Sequence, residues 1–243
     1  AARRAGLGER VRQEGVHAVG SKVRVYASRE THTWIEKAAD VSGLGTDSIR
    51  WIDTDEFQRI DLAALEGRIR SDLADGEKPL LVVGTAGTVS TGAIDPLPEI
   101  AEICHRYGIW FHVDGAYGGP AALLTDDFPD LAGIARADSV AVDPHKWMYV
   151  PLEAGCVLVR DVQRLKDAFS YHPAYYHFDE ELINYFDLGL QNSRGFRSLK
   201  VWLTLLSMGR EGLRDSIAED VGLARRLYEL VRESSFLEPA TQG

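Results

Sequence analysis

The chain has 243 residues, enough to bury one sizeable core, and its 45% hydrophobic and 26% charged content describes an ordinary globular protein. With 27 basic against 37 acidic residues the net charge is −10, which argues against a nucleic-acid backbone as partner. No apolar run is long enough to span a bilayer and no signal peptide opens the chain, so the cytoplasm is the expected compartment.

Residues 1 to about 17 are rich in Ala, Arg and Glu and read as the end of a helix without a start signal, as expected of part of a longer protein. Residues 23–27 alternate like a strand. Residues 31–41 follow as a predicted helix with Trp34, Ile35 and Ala38 on one side, and His32 falls in its first turn, where a histidine usually caps or meets solvent. Residues 48–52 read as a short strand. Asp61 caps a helix running to about Ala74, whose face of Leu62, Leu65, Ile69 and Leu73 belongs to the core. Residues 79–84 are a fully apolar strand of the buried parallel type. It runs into a small-residue loop from Thr85 to Gly92, which either admits a ligand closely or simply connects. Asp95 and Pro96 mark a helix start with the acid as cap. Leu97, Ile100, Ala101, Cys104 and Tyr107 form its buried stripe, and Gly108 closes it. A strand at 109–113 follows at once. This strand, helix, strand tempo predicts a right-handed crossover and an α/β fold with a mostly parallel central sheet flanked by helices.

Residues 120–137 read as a loop with short helical pieces, 139–142 as a strand and 155–159 as another. Cys104 and Cys156 lack metal-ligand spacing and are expected in the core, and no metal site is expected elsewhere. Residues 161–169 are helical. The aromatic, polar stretch 170–193 has no period, and a connection this long is usually functional or mobile. Residues 196–208 form an apolar helix (Phe196, Leu199, Trp202, Leu203, Leu206), expected to pack on the rest of the chain or on a second subunit. Residues 213–233 form a charged amphipathic helix.

Two of these strands end in chemistry. One delivers Asp114 within HVDGAYGG (112–119), and the other delivers Lys146 within DPHKW (143–147). Open α/β sheets bind ligands at the carboxyl ends of their strands. An acid after a strand also serves as a turn former or helix cap, and a lysine there as a solvated charge. The pair suits pyridoxal phosphate (PLP): the lysine forms a Schiff base and the carboxylate keeps the pyridine nitrogen protonated. Flanking by His145 and Trp147 predicts a desolvated ammonium.

HVDGAYGG and DPHKW at this separation, followed by GFRSLK (195–200), resemble the large domain of the group II PLP-dependent amino-acid decarboxylases, of fold type I. The resemblance covers residues 26–206. It implies that Lys146 carries PLP, that Asp114 faces the ring nitrogen, and that His32 stacks on the ring. It further implies cofactor contacts for Thr88 near the ring and for Ala116, Asp143 and His145. Several family members have Asn in place of Asp143, and many have Ala in place of Gly115. Aligned backward from GFRSLK, Tyr185 falls on the family's catalytic tyrosine, which protonates the carbanion left by carbon dioxide.

The resemblance makes about 170–193 the catalytic loop, closing over the partner's site in a homodimer with shared active sites. It makes residues 1–195 a PLP-binding large domain, with its phosphate-binding loop upstream of residue 1, and 196–243 a helical connection toward a small C-terminal domain. The implied reaction is decarboxylation of an L-amino acid, aromatic in the members this chain resembles most, to the amine. One alternative is an aldehyde synthase, whose members carry Phe in place of Tyr185. Others are a decarboxylase of a non-aromatic amino acid such as glutamate or diaminobutyrate, and an inactive relative serving as a dimer partner.

Overall fold

The computed structural model describes residues 1–124, 126–173, 175 and 182–239. Six strands, β1 (Val23–Ser28), β2 (Ile49–Ile52), β3 (Lys78–Thr85), β4 (Trp110–Asp114), β5 (Ser139–Val142) and β6 (Cys156–Val159), form one sheet in the order β2-β1-β3-β4-β5-β6. Every neighbouring pair is parallel except β5 with β6. β1 is buried along its whole length, as parallel strands covered on both faces must be. The helices are α1 (Ala2–Leu7), α2 (Arg10–Glu14), α3 (Trp34–Val41), α4 (Leu62–Ala74), α5 (Leu97–Tyr107), α6 (Val162–Phe169) and α7 (Arg197–Glu233). The main core joins Tyr26, Val82, Phe111 and Val113 of the sheet to Leu65 and Ile69 of α4, Leu97 and Ile100 of α5, and Leu213 and Ile217 of α7.

The expected α/β sheet is present, with differences in detail. The predicted helix over residues 1–17 is broken at Gly8 and Gly15, whose φ angles of 83° and 84° no helix accepts. α3 begins at Trp34, so His32 lies in the turn before it, and the buried positions are Ile35 and Ala39 in place of Ala38. Asp61 caps α4 as expected, accepting from the Ala64 N–H at 2.9 Å. Leu73 is exposed, however, and the fully buried residue beside it is Asp72, which meets Tyr26 Oη at 2.9 Å and Arg50 Nη2 at 2.8 Å. Tyr26 of β1 and Arg50 of β2 thus take a carboxylate where the helical period predicts an apolar residue.

Asp95 is not the cap of α5. It is completely buried and accepts from the backbone N–H of Ile60 and of Thr85, each at 2.7 Å. The α5 stripe holds, and Gly108 closes the helix in the left-handed conformation at φ 65°. Cys104 is buried, whereas Cys156 is exposed because β6 is an edge strand. The chain turns at Gly209 (φ 67°, ψ 173°), which divides α7 into the two predicted helical segments. Phe196, Trp202 and Leu206 of the first segment stay 74%, 59% and 67% exposed, so its apolar face does not pack on this chain's own sheet.

Candidate active site

The parallel arrangement sends the carboxyl ends of β1, β3, β4 and β5 to one edge of the sheet. In register, Thr85 pairs with Asp114 and Asp114 with Ala141, so three strand ends stand side by side. His32 follows β1, Thr88 follows β3, Asp114 and Ala116 end β4, and Asp143, His145 and Lys146 follow β5.

Backbone hydrogen bonds lace these loops together. The Gly118 N–H donates to the Ala86 carbonyl at 3.0 Å, and the Asp143 N–H to the Ala116 carbonyl at 3.2 Å. Gly118 has to be glycine, because a Cβ would fall 2.4 Å from the Ala86 oxygen. In the loop after β3, Thr88 Oγ1 and Thr91 Oγ1 lie 2.9 Å apart, and an antiparallel bridge joins Ala86 to Ile94. Thr88 is buried there.

Asp114 is 7% exposed and held on both oxygens. Oδ1 accepts from the Ala116 N–H at 3.2 Å and Oδ2 from the indole N–H of Trp34 at 2.6 Å. The same Trp34 donates its backbone N–H to His32 Nδ1 at 3.2 Å, leaving the His32 ring exposed. His112 lies behind, edge-on to Trp34 with centroids 5.8 Å apart, and Ser139 Oγ sits 2.8 Å from its Nδ1. Burial pushes the His112 pKa below the usual histidine value, although the Asp114 charge opposes this.

Lys146 Nζ forms an ion pair with Asp143 Oδ2 at 2.8 Å, and 42% of its side chain is exposed. The desolvated ammonium expected from its neighbours is therefore absent, because Trp147 turns away. Trp147 stacks on Tyr117 (5.0 Å, 8°) and donates its indole N–H to Asp220 Oδ2 of α7 at 2.8 Å. Tyr149 donates to the same carboxylate oxygen, and burial together with that bond pushes its pKa up to about 12. His145 Nδ1 lies 2.7 Å from the Ala154 carbonyl, so Nε2 is its outward nitrogen.

These residues fit a pyridine aldehyde. They offer a buried carboxylate, a reachable primary amine and a flat exposed ring. The buried Thr85 hydroxyl, opposite Asp114, adds a polar group with no hydrogen-bond partner among the described residues. Tyr185 stands apart. It is 64% exposed in a short helical turn, with the Arg194 guanidinium 5.9 Å from its ring centre, and no described contact ties it to Asp114 or Lys146. Ala174 and residues 176–181, within the expected catalytic loop, lie outside the described residues. Trp34, which helical periodicity assigns to packing, bonds Asp114, and Asp220, which falls in the charged helix over 213–233, bonds Trp147 beside Lys146.

An open, mostly parallel sheet with an acid and a lysine on neighbouring strand ends defines the fold type I class of PLP-dependent enzymes. The chain belongs to the pyridoxal-dependent decarboxylase family, whose conserved domain matches residues 1–240. It is 38% identical over 221 residues to an aromatic-L-amino-acid decarboxylase of Bacillus atrophaeus, covering 89% of this chain and 46% of that protein. It is 37% identical over 234 residues to the cysteine sulfinic acid decarboxylase of Mus musculus, covering 93% of this chain and 47% of that one. The crystal structure of Oryza sativa TDC with PLP and tryptamine superposes with a TM-score of 0.89 at 31% identity, over 100% of this chain and 50% of that chain. The chain thus spans about half the length of the relatives it matches.

Proposed function

We propose that the protein is a PLP-dependent decarboxylase converting an aromatic L-amino acid to its amine and carbon dioxide. The observation that carries this reading is the adjacency of Asp114 and the Asp143–Lys146 segment on hydrogen-bonded parallel strands β4 and β5. When bound, pyridoxal phosphate supplies an aldehyde that joins to amines and a conjugated ring that accepts the electron pair released with carbon dioxide. Lys146 would hold the group through its side-chain amine. Asp114 would hold a proton at the ring nitrogen, a role that suits an acid fixed on both oxygens. His32 would offer its exposed ring to the flat ring of the group, and Thr88 and Ala116 would border it. Asp143 orients the lysine amine through their ion pair, and His145 would offer its outward nitrogen to the phosphate. Tyr185 returns a proton to the α-carbon.

An aromatic substrate is favoured by the Bacillus relative, 38% identical over 221 residues. The exposed apolar face of the first segment of α7 supports a homodimer, with Tyr185 acting in the partner's site. Residues 1–195 then form the cofactor-binding domain and 196–243 the helical connection beyond it. Both cysteines are free thiols, which suits the reducing cytoplasm that we assign. Among the described residues no helix is long and apolar enough to cross a membrane.

The test is incubation of the protein with PLP and a panel of amino acids, with each product identified by mass. Aromatic amines and carbon dioxide are expected. Aldehyde with ammonia as the main products would make it an aldehyde synthase, and turnover of cysteine sulfinate, glutamate or diaminobutyrate alone would move the substrate class.

A further inference from the structure

Trp34 occupies an unusual position among the site residues. It is the first residue of α3 and only partly buried, yet both of its N–H groups are committed to the site. The backbone N–H meets His32 Nδ1 at 3.2 Å and the indole N–H meets Asp114 Oδ2 at 2.6 Å. An indole nitrogen is a donor only, so this bond has a fixed sense, and a carboxylate acceptor makes it a strong one. The indole cannot easily swing away. Its face meets the edge of His112, whose ring is tied to Ser139 Oγ at 2.8 Å, and that oxygen takes the Trp110 indole N–H, also at 2.8 Å. Two strands therefore brace a side chain that reaches from β1's exit loop to the end of β4.

We propose that Trp34 is the positioning residue for Asp114. Its indole N–H holds Oδ2 while the Ala116 N–H holds Oδ1, and together they fix the plane of the carboxylate that meets the cofactor ring nitrogen. This rests on the reading of Asp114 given above. Packing alone does not call for the N–H, since a phenyl ring would also fill the space against His112. A carboxylate free to rotate presents the wrong lone pair for much of the time, so its loss of aim should weaken cofactor binding and slow the chemistry together.

The experiment compares wild type, Trp34→Phe, Asp114→Asn and the double variant. PLP affinity of the apoprotein is measured by fluorescence titration, alongside the visible spectrum of the loaded protein, kcat, KM and the apoprotein melting temperature. Trp34→Phe is expected to weaken PLP binding and lower kcat, each roughly tenfold, the scale of one hydrogen bond to a charged group. The visible band should shift, with KM for the amino acid and the melting temperature nearly unchanged. In the Asp114→Asn background the same substitution should add less than about twofold, because the interaction it removes is already altered. Unchanged affinity and kcat in Trp34→Phe would overturn the proposal, as would an equal loss in both backgrounds or a loss that tracks the melting temperature. A second measurement leaves Trp34 intact: its indole proton resonance should move upfield and exchange faster in Asp114→Asn, and an unmoved resonance counts against the bond. Wild type that binds PLP while Trp34→Phe binds it equally well defeats this inference alone. Wild type that binds no PLP defeats the site reading beneath it.

Discussion

At the residue scale, Asp114 is the charge on which the proposed chemistry turns. Asp114→Asn keeps the shape but removes the charge that, on the proposed reading, would keep the ring nitrogen protonated. A fall in kcat of roughly a thousandfold is expected, about 4 kcal/mol of lost transition-state stabilisation. Steady-state assays of the PLP-saturated variant check it, and near-normal kcat would give the nitrogen another partner. Lys146→Ala should abolish turnover with little change in melting temperature, since its side chain is 42% exposed and among the described residues its ion pair is with Asp143. The places of Asp114 and Lys146 at and after the ends of neighbouring strands were legible in the sequence because each follows a short apolar run bounded by turn residues. Trp34 was not, because its partner lies 80 residues away and helical periodicity assigns any apolar residue there to packing. The ion pair of Lys146 was hidden for a similar reason: its apolar neighbour Trp147 points toward α7, a direction no local pattern encodes.

At the element scale, two carboxylates hold the strand ends in place. Asp95 joins the chain before α4 to the end of β3, and burial pushes its pKa from 3.8 to about 6. A raised carboxyl pKa means that the folded state binds the proton more tightly than the unfolded one. The associated stability is fully present below pH 4 and lost as pH rises through about 6, a change of about 3 kcal/mol at roughly 1.4 kcal/mol per pH unit. Asp95→Asn, with one carbonyl for two N–H donors, should be less stable than wild type at low pH. The gap should narrow as pH rises from about 4 to 6, read by urea denaturation at each pH, and a constant gap contradicts the assignment. Asp220 fastens α7 to the segment after Lys146 through Trp147 and Tyr149. Asp220→Ala should therefore speed limited proteolysis near Gly209, and cleavage at the wild-type rate would show that the anchor is elsewhere. The sheet, α4 and α5 were readable from apolar periodicity and caps. The role of Asp95 was not, because Asp-Pro before a helix is also the pattern of a simple cap, and only the approach of Ile60 to β3 diverts the side chain.

At the scale of the whole molecule, the exposed Phe196, Trp202 and Leu206 and the exposed ring of Tyr185 both fit a dimer with shared sites. Tyr185→Phe removes only the hydroxyl, so carbon dioxide release should continue while protonation slows, and aldehyde and ammonia should replace amine as the main products. Mixed dimers of Lys146→Ala and Tyr185→Phe subunits contain one site with both defects and one with neither if the loop acts across the interface. Amine formation should then partly return, and no recovery despite demonstrated subunit exchange would put Tyr185 over its own subunit's site. All of this depends on one covalent attachment. The most direct measurement is borohydride reduction of the PLP-loaded protein followed by peptide mapping. A single pyridoxyl label on Lys146 is the predicted result, and a label on any other lysine, or none, would contradict the account.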